Sequence, residues 1–200
     1  MTAFIYLHGF NSGFDPENPK VKAFASLGIV HGRTTNYLDS SDVDTLGNFI
    51  TKQITDEAVK DELVLVGTSL GGYFAQYFAY MYCLRSIIVN PATAPAESLK
   101  RATGRNTNFF TGEEYEVTEA QVIALQKYFT APSKNGTLVI LATDDELLDY
   151  RVAQAAFKDT AHVVLTDGGH RLSDLSKVLS EISRFVKFVP VDAHLDDSAC

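Results

Sequence analysis

The chain has 200 residues, 46% hydrophobic and 21% charged, with a formal net charge of −8. That composition suits one globular domain with a full core and excludes a disordered polyelectrolyte. The acidic balance argues against a nucleic-acid-binding surface, which presents a basic patch. No apolar run reaches the roughly 20 residues of a membrane-spanning helix.

Met1-Thr2-Ala3-Phe4 leads into a strand without the basic start and apolar stretch of a secretory signal. Cys83 and Cys200 have neither metal nor redox spacing. Both are expected as free thiols, which by elimination points to the cytoplasm. Phe4 to Leu7 is a short apolar run closing in the Gly-rich loop His8-Gly9-Phe10-Asn11-Ser12-Gly13, the pattern of a central parallel strand. Val21 to Leu27 is the first helix candidate, and Gly28 to His31 begins a strand nearer an edge. Between about 42 and 60, Val43, Leu46, Phe49, Ile50, Ile54 and Ala58 recur at helical spacing. Leu63 to Val66 reads as a buried strand, and Tyr73 to Tyr82 as an apolar helix whose aromatic and Met81 stripe packs the core. Ser86 to Val89 is the next strand, leaving through Asn90-Pro91.

Residues 92–133 interrupt the alternation of strand and helix. Their first half is polar. Their second half opens with Thr118-Glu119-Ala120-Gln121, the pattern of a capping box. An insertion here reads as a small helical cap over the active edge of the sheet. Thr137 to Ala142 and Ala161 to Leu165 are the last two strands, with a helix from about Asp149 to Phe157 between them. A closing helix is expected from Leu172 to Phe188, stopped by Pro190, and residues 189–200 are expected to fray. The whole implies an α/β fold in three layers: a doubly wound, mainly parallel sheet with helices on both faces, forming one domain over residues 1–188.

The chemistry centres on Gly67-Thr68-Ser69-Leu70-Gly71, a G-x-S-x-G sequence between a strand and a helix. A serine held in so sharp a turn needs neighbours without bulk two residues away on each side. A serine hydroxyl also needs a base, and the base an orienting acid. His170, in the Gly-rich loop past the last strand, supplies the base. His162 lies within a strand and is read as structural. Asp145 is favoured as the acid, with Asp144 its rival and Asp149 the candidate cap of the helix that follows. Acyl transfer builds negative charge on a former carbonyl oxygen, and the amides of Leu70 and Phe10 are the expected donors to it. His8 is expected to fix the Phe10 loop by hydrogen bonding.

Tyr6-Leu7-His8-Gly9-Phe10-Asn11-Ser12, Gly67 to Tyr73, Val89-Asn90-Pro91-Ala92, Asp145 to Tyr150 and Gly168-Gly169-His170 resemble the YqiA-like esterases. The resemblance runs to about Phe188. It implies a reduced alpha/beta hydrolase fold beginning at what is usually the third strand, and a carboxylesterase with Ser69, Asp145 and His170 as triad. Asp144 stands where that pattern carries glycine. The substrates expected are small carboxylic esters or thioesters, with no cofactor, metal, nucleic acid or membrane span. Amide or lactone cleavage would use the same residues. The alternative is a catalytically inactive binding or scaffold protein.

Overall fold

The computed structural model describes residues 2–56, 63–133 and 136–187. Six parallel strands form one sheet: β1 (Ala3–Leu7), β2 (Ile29–Gly32), β3 (Leu63–Thr68), β4 (Arg85–Val89), β7 (Thr137–Ala142) and β8 (His162–Thr166). Their order is β2-β1-β3-β4-β7-β8, so β2 is an edge strand and β3 is central. Side chains alternate across the strands and split the core in two. Ile5, Leu65 and Val139 face one side, where α2 (Ser40–Ile54), α3 (Leu70–Met81) and α6 (Tyr150–Phe157) pack. Phe4, Val64 and Leu138 face the other, covered by α1 (Pro19–Ala25) and α7 (Leu179–Lys187). Each fully buried Leu, Ile or Phe contributes about 1.5–3 kcal/mol through removal from water. The continuous apolar runs of β3 and β7 follow from burial on both faces.

Helix ends follow local chemistry. The Asn18 side chain accepts from the Lys20 amide and Pro19 occupies the first turn, so α1 starts two residues before the expected Val21. Thr118 and Gln121 form the reciprocal capping box that opens α5 (Glu119–Ala124), and Asp149 caps α6. α7 begins at Leu179 rather than Leu172. Leu172 has φ 35°, and the Asp174 carboxylate accepts from the Ser176 amide, so the preceding stretch forms turns. Leu172, Leu175 and Val178 remain buried there, which is why their spacing imitates a helix. Met81 ends α3 half-exposed instead of joining the aromatic stripe.

The polar stretch after β4 contains elements its sequence does not announce. After the short α4 (Pro95–Ser98), β5 (Gly104–Thr107) and β6 (Glu114–Val117) pair as an antiparallel hairpin. Asn108 closes its loop by accepting from the Phe110 and Thr111 amides.

Cys83 is disulfide-bonded, so the free thiol expected at this position is corrected, and it no longer points to a reducing compartment. Cys200, Ala58, Phe188, Pro190 and the tail from 189 lie outside the described residues. Among the described residues, no helix is long and apolar enough to cross a membrane.

Candidate active site

The strand β3 ends at Thr68 and α3 begins at Leu70, leaving Ser69 alone in the turn at φ 55°, ψ −122°. A non-glycine residue there is strained and persists only where its surroundings over-determine it. Those surroundings are backbone. The Ser69 amide donates to the Val89 carbonyl, and its own carbonyl accepts from Gly72 and Ala92. A Cβ on Gly67 would stand 2.2 Å from the Gly71 oxygen, and one on Gly71 would stand 2.2 Å from the Leu7 oxygen. The two glycines of the motif are thus required by close backbone approach.

The loop after β8 brings His170 over this turn. Its Nε2 lies 3.0 Å from Ser69 Oγ, and its Nδ1 lies 2.8 Å from Asp145 Oδ2. The side chains are sheltered, His170 being 12% exposed and Asp145 2%. Asp145 Oδ1 accepts from the Leu147 and Leu148 amides at 2.8 and 2.9 Å, which fixes the carboxylate's plane.

The three consecutive acids divide their contacts. Asp144 accepts from the Gly168 and Gly169 amides at 2.9 and 3.0 Å, and Glu146 accepts from the His170 amide at 2.8 Å. The Gly169 amide foremost holds the Asp144 carboxyl below its usual range, and the His170 amide does the same for Glu146. Asn90, missed by the reading of the sequence, completes the clamp. Its Nδ2 donates to the Gly169 and His170 carbonyls at 3.1 and 3.0 Å, and its Oδ1 accepts from the Ala142 amide at 2.8 Å. The motif Val89-Asn90-Pro91 was its only sequence signal.

Gly9 brings the loop after β1 against the serine, since a Cβ there would lie 3.5 Å from Ser69 Cβ. His8 anchors that loop. Its Nδ1 is 2.8 Å from the Gly9 carbonyl and its Nε2 accepts from the Thr35 amide at 3.0 Å. The second contact requires a lone pair on Nε2, so the ring is neutral with its proton on Nδ1. Burial foremost pushes its pKa down. The β5–β6 hairpin docks on the same loop: Phe109 donates to the Asn11 carbonyl at 2.9 Å, and Asn108 Nδ2 to the Ser12 carbonyl at 3.0 Å. Tyr115 donates from its hydroxyl to Asn11 Oδ1.

Phe10, Ser69, Leu70 and His170 share one cavity of about 770 Å³. The Leu70 amide is the first of α3, which a helix leaves without an internal partner. Phe109, Phe110 and Leu99 give the cavity an apolar side, and Lys20, Arg101 and Arg171 a cationic one. Among the described residues, no group of three His, Cys, Asp or Glu side chains is placed to hold a metal ion.

Comparison with known proteins agrees with this architecture. Est1E from Butyrivibrio proteoclasticus, with ferulic acid bound, superposes with a TM-score of 0.68 at 17% identity, covering 94% of this chain and 87% of Est1E. The Pyrococcus furiosus esterase Pf2001 gives a TM-score of 0.69 at 15% identity, covering 94% of this chain and 82% of that one. The fold is therefore that of the alpha/beta hydrolases. Within it, residues 3–187 match the model of UPF0227, described as an uncharacterised protein family, and the chain belongs to that family. A UPF0227 protein of Vibrio vulnificus (strain CMCP6) is 26% identical over 185 residues, covering 90% of this chain and 97% of the relative. One of Pasteurella multocida (strain Pm70) is 26% identical over 192 residues, with the same coverage.

Proposed function

We propose that the chain is a serine hydrolase that cleaves small carboxylic esters or thioesters through an acyl-enzyme. The observation that carries this reading is the unbroken relay from Ser69 Oγ through His170 to Asp145, with its two contacts of 3.0 and 2.8 Å. Ser69 Oγ attacks the carbonyl carbon while His170 Nε2 takes its proton. The tetrahedral oxyanion is held by the amides of Leu70 and Phe10. Its collapse expels the alcohol or thiol, which receives the proton from His170. Water, deprotonated by the same nitrogen, then attacks the acyl carbonyl and frees Ser69. Asp145 orients the imidazole and stabilises its charged form. Residues 92–133 serve as a small cap on the 1–188 domain, and Phe109, Phe110 and Leu99 offer the substrate's hydrocarbon part an apolar surface.

A fluorophosphonate probe tests this without knowledge of the substrate, because it needs an activated serine and an oxyanion site. Labelling at Ser69, abolished in His170→Ala, is the expected result. Folded protein that takes up no label would overturn the reading in favour of an inactive binding protein.

A further inference from the structure

One wall of the cavity carries charge that acyl transfer at Ser69 does not use. Lys20, in the first turn of α1, is 6% exposed, and its Nζ donates to the backbone carbonyl of Arg171. Arg171 lines the same cavity, and its charge is close enough to repel the amine. Among the described residues, no carboxylate lies within ion-pair distance of either group. This is unexpected in a chain with 25 acidic and 17 basic residues. The two acids on the cavity wall turn an oxygen to backbone: Asp15 accepts from the Glu17 amide, and Glu146 from the His170 amide.

A lysine amine taken out of water without a counter-charge is costly. The cost is visible in its pKa, pushed down to about 8, first by burial and then by the Arg171 charge. Packing alone does not call for it, since the neighbouring Val21 and Phe24 are apolar and belong to the core of that sheet face. An anion seated between the amine and the guanidinium would remove both the desolvation and the repulsion.

We propose that Lys20 and Arg171 form an anion subsite in the Ser69 cavity, so that the preferred substrates are esters bearing a second, carboxylate group. The proposal rests on the serine hydrolase reading and deepens it by naming the substrate class.

A bland role competes with it: by holding the Arg171 carbonyl, Lys20 could merely position the loop of His170. That role lowers turnover of every ester alike, so the ratio of kcat/KM between charged and neutral esters separates the two. The acyl-side pair is 4-nitrophenyl hydrogen succinate and 4-nitrophenyl pentanoate. The alcohol-side pair is 4-acetoxybenzoate and its methyl ester. In at least one pair the parent protein is expected to favour the charged ester, and Lys20→Met and Arg171→Gln should each cut that ratio about tenfold or more. A ratio that both variants leave unmoved overturns the subsite, even if both rates fall. Should Lys20→Met not fold, Arg171→Gln, altered at an exposed side chain, decides alone.

Binding distinguishes this failure from that of the hydrolase reading. Ser69→Ala should gain thermal stability from 4-nitrophenyl hydrogen succinate, and Ser69→Ala/Lys20→Met should not. Equal shifts overturn the subsite, whereas a Lys20-dependent shift in a protein that turns over no ester would keep it and overturn the hydrolase.

Discussion

Replacing Lys20 by Met keeps the buried stem and removes the charge, so it measures what the charge costs the fold. The folded amine titrates at about 8 against an ordinary 10.5. At about 1.4 kcal/mol per tenfold, that gap corresponds to about 3 kcal/mol against the charged form in the native state. The variant also loses a hydrogen bond to the Arg171 carbonyl, worth about 1 kcal/mol net between neutral groups. Lys20→Met should therefore be about 2 kcal/mol more stable than the parent at pH 7. The sign follows from proton binding. Between pH 8 and 10.5 the unfolded chain holds the proton that the folded chain has released, so the parent gains stability as pH rises. The contribution is fully present above 10.5 and lost as pH falls through 8. The variant's advantage should thus shrink from pH 7 to pH 10. Tyr6, Asp15, Arg101, Glu146 and His170 share the cavity and are present in both proteins, while the Arg171 repulsion is already counted in the Lys20 shift. Urea unfolding of both proteins at pH 7 and pH 10 reads it directly. A variant 2 kcal/mol less stable at pH 7, or an advantage that ignores pH, would refute the view that this charge is kept against the interest of the fold.

Two further substitutions probe the clamp around His170. Asp145→Asn should lower kcat by about 10³–10⁴, by removing the acceptor that sets the imidazole tautomer. Asp144→Asn, whose amide oxygen can still accept from Gly168 and Gly169, should lower it less than about tenfold. Steady-state kinetics on one activated ester compares them, and a larger loss at Asp144 would reassign the acid. Asn90→Ala removes three hydrogen bonds at a residue with φ 44°. It should lower kcat about 10–100-fold with KM held within about threefold. A rise in KM with kcat intact would show that Asn90 acts on binding and not on the placement of His170.

How much of this was legible depended on how local each signal is. β3 and β7 announce themselves because both faces of a parallel strand are buried, and Thr118 and Asp149 because a cap reaches only two or three residues along the chain. The β5–β6 hairpin stayed hidden because its strands are short, mostly polar and outside the main sheet. The true start of α7 was masked by Leu172, Leu175 and Val178, which keep a helical spacing while the backbone turns. At the site, Ser69 and His170 were marked by their glycines. Asn90 was marked only by the Asn-Pro step after β4, since its side-chain partners are backbone groups 52, 79 and 80 residues away. Lys20 was invisible for the opposite reason: a lysine in a first turn reads as solvated, and only tertiary packing buries it.

His8 ties the loop after β1 to a particular protonation state, and that makes the fold sensitive to acid. A second proton on the ring would have to sit on Nε2, where the Thr35 amide already donates. Two donors would then face each other inside the core, and the neighbouring groups cannot compensate. Asp42 favours the charged ring, but the Arg33 charge opposes it, and burial outweighs both. Tyr37, with its ring centroid 5.2 Å away, offers no charge. The folded pKa thus lies below the ordinary 6.5, and below 6.5 the unfolded chain binds the proton first. His8 therefore contributes stability that is present above pH 6.5 and is lost as pH falls towards the folded value. His8→Gln can donate and accept but cannot titrate. As pH drops from 7.5 to 5, the parent should lose urea resistance relative to this variant, all other titrations being common to both. A stability difference that stays constant over that range would mean that His8 accepts its second proton in the folded state as readily as in the unfolded one. The Thr35 contact could then not be what fixes the loop that carries Gly9 beside Ser69.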